Sequence, residues 1–237
     1  MTDWIVRLQG DAFDLEGLPD LFEGTSYRVF KEGEHYYLWS SEFQNLADAY
    51  SVHERAVATL EVLNGAAAAI LNNARPIDVG AVVHIDAEGT RKASVFASAH
   101  SVVRTRARAT VEVTGGKIRR ESGKHWELDR VISDEKVQRA LRIFGTVPRN
   151  WPSLYNVFEI IQSDVGGGMV KLRWTTTGEL RRFKHSANSP AAVGRDARHG
   201  FDKDEPPENP MTLTEANGFI VGILRRWLNW KGTPQSP

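Results

Sequence analysis

Cysteine is absent from the chain. Its absence excludes disulfides, thiolate zinc sites and cysteine nucleophiles, and it suits a reducing compartment. There is also no run of about 18 uncharged apolar residues, the length a membrane-crossing helix needs. The nearest candidate, LTEANGFIVGILRRWLNW, is interrupted by Glu215, Asn217, Arg225 and Arg226. The opening residues, MTDWIVRLQGDAFDLEG, carry acids where a signal peptide needs an apolar run. The expectation is a cytoplasmic protein with no membrane partner. Several chemical signatures are missing too. No G-x-x-x-x-G-K-[ST] phosphate loop, G-x-S-x-G elbow or H-E-x-x-H zinc helix occurs. The glycines at 166–168 follow an expected helix, which is the wrong context for a dinucleotide fingerprint. No cofactor is expected.

Net charge is zero, with 30 Lys and Arg against 30 Asp and Glu, but it is unevenly spread. Residues 1–55 hold 11 acids and 4 bases, a net of −7. Residues 91–125 hold 9 bases and 2 acids, a net of +7, and residues 171–200 hold 7 bases and 2 acids, a net of +5. An acidic front and two basic segments fit a polyanion site, a self-association surface, or two halves that face each other.

Periodicity divides the chain. WIVRLQG and YRVFKEGEHYYLWSS are rich in aromatic and β-branched residues around a Gly33 turn, which predicts strands. SVHE reads as a capping box with Ser51 as the cap and Glu54 three residues on. Ala56, Val57, Leu60, Leu63 and Ala67 then recur at helical spacing, with Gly65 as a weak point inside the pattern. AVVHIDAEGTRKASVFASA predicts two strands around a Glu88-Gly89 turn. VVRTRARATVEV alternates, setting Arg104, Arg106 and Arg108 on one face, either a solvated sheet face or a phosphate-reading stripe.

Beyond 114–126, TGGKIRRESGKHW, the pattern becomes helical. SDEKVQRALRIFG begins with a cap-like Ser133. WPSLYNVFEIIQSDVGGG has Pro152 in its first turn and an apolar stripe of Leu154, Val157, Phe158, Ile161 and Val165. Thr176 with Glu179, and Thr212 with Glu215, stand in capping-box register. The last helix carries Ala216, Phe219, Ile220, Ile223, Leu224 and Trp227 on one stripe. The expected class is α+β. An N-terminal unit, 1–115, combines a mixed antiparallel β-sheet with one long helix; a linker covers 116–130; a bundle of about four helices covers 131–237.

The densest hydrogen-bonding equipment lies in RRFKHSANSPAAVGRDARHG, residues 181–200. Arg181, His185 and Asn188 share one helix side, and a proline at 190 disfavours helix at Ser189. Arginine forks hold phosphate, and histidine moves protons near neutral pH. These suffice for RNA cleavage in which the substrate's own 2′-hydroxyl attacks. In that reading Arg195 and Arg198 hold phosphate and His199 is the acid or base. Glu159 fixes a histidine tautomer, and His185, Asn188, Arg181 and Arg182 orient substrate, with Arg104, Arg106 and Arg108 as outlying phosphate contacts. His185, His199, Asp196 and Asp202 offer metal-ligand atoms, but their spacing selects no metal, and none is expected. The competing reading is a non-enzymatic interaction or regulatory module. There residues 181–200 form a structural polar network, with Asp196 paired to Arg195 or Arg198.

The Arg and His set near a late helix, preceded by the amphipathic W..LY..FE.I helix, resembles the HEPN superfamily of helical nucleases and nucleotide-binding domains. The resemblance spans about residues 130–237, and Arg195 and His199 stand closer together than in the family's motif. It implies a helical bundle, often dimeric, with the polar motif near the pair interface, acting on RNA or nucleotides. The broad stripe of the last helix fits the central helix of its own domain; its ending in Trp227 and Trp230 and its Gly218-x-x-x-Gly222 also support a homodimer.

Overall fold

The computed structural model describes residues 3–72, 75–96, 128–146, 148–198, 205 and 207–233. The expected strand over 102–113, with Arg104, Arg106 and Arg108, lies outside the described residues. So do most of the expected linker and His199.

The first half builds an antiparallel sheet. Its strands are β1 (Asp3–Gln9), β2 (Tyr27–Glu32), β3 (His35–Ser40), β4 (Asp78–Ile85) and β5 (Arg91–Ser94), in the order β2-β3-β1-β4-β5. Gly33 turns β2 into β3 with φ +58, a conformation glycine adopts without steric cost. Alternation sorts the faces. Val6, Leu8, Val29, Leu38 and Val82 join the main core, while Ile5, Tyr37 and Val83 form a second cluster on the other face. Two short helices, α1 (Ala12–Glu16) and α2 (Leu18–Leu21), link β1 to β2.

The long helix α3 (Ala49–Ile70) packs on the first of those faces. Its cap is Asp48 rather than the expected Ser51. Asp48 is extended (φ −149, ψ 163), and its carboxylate accepts from Ser51 N–H at 2.8 Å. Ser51 is already inside the helix, so the acid three residues earlier takes the capping role. Gly65 does not interrupt α3. A Cβ there would lie 2.0 Å from the Leu141 carbonyl oxygen, and one on Gly145 would lie 2.9 Å from Gly65 N. The two glycines let α3 and α5 cross backbone to backbone.

The second half is helical: α4 (Leu128–Ile132), α5 (Glu135–Gly145), α6 (Trp151–Asp164), α7 (Thr177–Asn188), α8 (Pro190–Val193) and α9 (Leu213–Gly232). The first residues of α4 fall in the span read as linker. α5 is capped by Asp134, which accepts from Lys136 and Val137 N–H, rather than by Ser133. The Ser133 hydroxyl turns back to donate to the Arg130 carbonyl at 2.7 Å. Both threonine capping boxes form as expected, and Asn150 with Ser153 adds a third at the start of α6.

One hydrophobic cluster runs from the sheet through Ala56, Leu63 and Ala67 of α3 to Leu141, Phe158, Ile220 and Trp227. Arg225 on α9 donates to the carbonyls of Ala69 and Ile70 and to Asn72 Oδ1, so α9 closes the C-terminal end of α3. Trp227 is fully buried and donates to Asp164 Oδ2 at 2.9 Å, while Trp230 stands edge-on to Trp174. Trp227 and Trp230, expected to end a stripe that meets a second protomer, both have partners within this chain, and Trp230 stays partly exposed. Among the described residues no helix is long and apolar enough to cross a membrane.

Candidate functional site

Residues 181–198 occupy α7, the short α8 and a 3₁₀ turn at 194–196. Pro190 ends α7 as expected, and Ser189 turns extended (φ −96, ψ 112). Gly194, at φ +65 and ψ −134, bends the chain back, a backbone that favours glycine. The return is fixed where Arg198 N–H donates to the Ala187 carbonyl at 3.0 Å. Arg198 is thereby brought against the last turn of α7 and the flank of α6.

The corner it enters is aromatic. Tyr155 stacks on Phe183 with ring centroids 5.9 Å apart and 13° between planes, and Trp151, Phe158 and Phe219 complete the cluster. The Arg198 guanidinium lies 4.7 Å from the Tyr155 ring centroid, and its Nη2 is 2.9 Å from Glu159 Oε1. Its Nη1 reaches Tyr155 Oη at 3.4 Å. Tyr155 and Glu159 are one turn apart on α6, so ring and carboxylate face the same way. Lys184 Nζ sits 5.2 Å from the Phe158 ring centroid. The Arg198 side chain is 46% exposed and Glu159 43% exposed, so the corner opens to solvent.

Glu159, expected to orient a histidine, accepts from Arg198; His199 lies outside the described residues. Arg198 in turn pairs with Glu159 and not with Asp196. Arg195 is exposed and makes no hydrogen bond or ion pair among the described residues, and the same holds for Arg181 on α7.

The other predicted site residues face a different neighbour. Arg182 Nε donates to the Asn209 carbonyl at 2.9 Å. Its Nη2 reaches Asn209 Oδ1 (3.3 Å), the Pro210 carbonyl (3.2 Å) and Glu215 Oε1 (3.0 Å). His185 Nε2 is 2.8 Å from the Glu205 carbonyl, which only accepts, so that nitrogen carries the proton. Ser186 Oγ accepts from Met211 N–H at 2.8 Å and donates to the Arg182 carbonyl at 2.9 Å. These three side chains fasten the segment leading into α9 along α7. Hydrogen bonds from the Thr212 backbone and from Arg182 hold the Glu215 carboxyl below its ordinary range. Asn188 Oδ1 and Ser189 Oγ are buried beside the Arg198 turn and have no hydrogen-bond partner among the described residues.

Two features were not drawn from the sequence. Tyr155 as a platform for Arg198 had a signal, since it precedes Glu159 by one helical turn. The ionic knot at the far end of α6 had none. Asp164 Oδ1 accepts from Lys136 Nζ at 2.8 Å. Its Oδ2 accepts from Lys231 Nζ at 2.7 Å and Trp227 Nε1 at 2.9 Å, while Lys231 also reaches Asp134 at 2.8 Å. Burial raises the Asp164 pKa, but the hydrogen bonds from Lys136, Lys231 and Trp227 outweigh it and bring it down to about 2. This knot lies at the opposite end of α6 from Tyr155 and holds α5, α6 and α9 together. Among the described residues no cluster of three or more His, Asp and Glu is placed to hold a metal.

No protein-family model, curated protein or solved structure matches the chain.

Proposed function

We propose that the protein handles RNA or nucleotide phosphate at the Arg198 corner. The observation that carries this reading is an arginine held from two sides yet open to solvent. Tyr155 supports the face of its guanidinium and Glu159 fixes one edge, with nearly half the side chain exposed. An arginine so oriented loses little rotamer freedom when it meets an anion, and its fork matches two phosphate oxygens. Lys184 and Arg195 add positive charge from α7 and the 3₁₀ turn. The HEPN resemblance points the same way. Metal-independent cleavage belongs to this reading through His199, which follows Arg198 in the chain.

A second reading, the structural polar network, is favoured by Arg182, His185 and Ser186, each of which bonds to a residue between 205 and 215. The two readings divide the segment between them, with its first half acting as a clamp and its last residues as a ligand surface. The test compares Arg198→Ala with Arg182→Ala on single-stranded RNA and in thermal melts. Arg198→Ala should lose RNA retention at low salt and keep its melting temperature. Arg182→Ala should melt lower. Unchanged retention in Arg198→Ala would overturn the phosphate reading and leave the network.

A further inference from the structure

Next to the Arg198 corner, and sharing Glu159 with it, a groove of about 320 Å³ runs between α5 and α6, lined by Lys136, Arg139, Asn156, Glu159, Ile160 and Ser163. That volume is at the lower end of small-molecule sites, several times what a bare phosphate needs. Its α5 wall is cationic. Lys136 is engaged by Asp164. Arg139 is exposed and makes no hydrogen bond or ion pair among the described residues, so its guanidinium donors are open. Its α6 wall is polar around an apolar centre. Asn156, Glu159 or Ile160, and Ser163 recur at i, i+3 or i+4, and i+7, which puts them on one helix face. Asn156 and Ser163 are exposed, and their side chains have no hydrogen-bond partner among the described residues. Ile160 between them packs against the core.

The lining selects a ligand class. An acidic peptide would bring carboxylates against Glu159, whose Oε1 is already held by Arg198 while Oε2 remains an acceptor. A nucleotide brings an anion for Arg139, donors for the Glu159 oxygen, both donors and acceptors for an amide and a hydroxyl, and a flat apolar face for Ile160. We propose that this groove seats one nucleotide unit of a single-stranded RNA whose neighbouring phosphate lies on Arg198. Arg139 takes the phosphate on the groove side, and Asn156 and Ser163 meet the polar edges of the base or sugar. The inference rests on the reading of Arg198 as a phosphate ligand.

The test uses the full-length protein and fluorescence anisotropy with two probes, a labelled oligouridylate and an abasic oligomer with the same backbone. Arg139→Ala should weaken oligouridylate binding roughly threefold to tenfold, the scale of one net hydrogen bond. It should also flatten the log–log salt slope by about 0.7, the loss of one phosphate contact on a single strand. Asn156→Ala should weaken the oligouridylate and leave the abasic oligomer unchanged. Both residues are on the surface, and matching melting curves for both variants ensure that binding alone is compared. If Arg198→Ala weakens binding while Arg139→Ala and Asn156→Ala match the parent, the groove is overturned and the corner stands. If Arg139→Ala alone weakens binding, equally on both probes, the groove holds bare phosphate and the nucleotide seat is overturned. If the parent binds neither probe, corner and groove fall together.

Discussion

Asp164 provides a sharp test of the packing at the far end of α6. Its side chain is 8% exposed and accepts from Lys136, Lys231 and Trp227. Its pKa moves from the ordinary 3.8 to about 2, which by linkage is worth roughly 2 kcal/mol of folding stability. The folded-state pKa is the lower one, so the contribution is fully present above pH ~4 and is lost as pH falls through about 2. Asp134, in the same knot, is also held below its ordinary range, since burial, which raises its pKa, is outweighed by its hydrogen bonds from Lys231 and from the Val137 and Lys136 N–H groups, so the informative quantity is a difference. Chemical denaturation of the parent and of Asp164→Asn should be followed between pH 7 and pH 2. Asp164→Asn should be less stable by roughly 2 kcal/mol at neutral pH, and the gap should shrink toward zero as pH approaches 2. A gap that stays constant across the range would refute the claim that ionised Asp164 ties α5, α6 and α9 together.

Other outcomes follow from the packing. Gly65→Ala should destabilise by at least about 3 kcal/mol, because its Cβ would meet the Leu141 carbonyl at 2.0 Å; a melting temperature equal to the parent's would contradict the close crossing. Gly218→Ala, where no atom of the described residues would lie within 4 Å of the new Cβ, should instead raise stability by about 0.5–1 kcal/mol through helix propensity alone. Ser189→Ala should keep or raise the melting temperature, because the hydroxyl is buried without a partner among the described residues; a clear loss would reveal a bond made by that hydroxyl in solution.

The α+β class and most elements are legible in the sequence because their determinants are local. Thr176 with Glu179 and Thr212 with Glu215 specify helix starts from within four residues. The misplaced starts show where locality fails to decide. Asp48 and Ser51, like Ser133 and Asp134, both offer a capping oxygen, and the backbone path into the helix chooses between them. Gly65 reads as a flaw in α3 because its reason, the Leu141 carbonyl, comes from a distant helix. The candidate site divides in the same way. Arginines and a carboxylate are visible as types, but the pairing of Arg198 with Glu159 depends on how α6 and the 3₁₀ turn meet. The work of Arg182 as a clamp depends on where the segment at 205–212 returns. The stripe ending in Trp227 and Trp230 fits both a central helix of its own domain and a dimer face in the sequence, since an apolar stripe looks the same whether its own chain or another covers it; Trp227 is buried within this chain.

The proposed role of Arg198 is to present its guanidinium to phosphate. The most direct measurement is the affinity of the full-length protein and of Arg198→Ala for a single-stranded RNA across a series of salt concentrations. The parent's affinity should fall with salt at about −0.7 per phosphate contact on a log–log plot, and Arg198→Ala should be weaker at low salt with a slope shallower by about 0.7. Superimposable lines for the two proteins, or no binding by the parent at low salt, would contradict it.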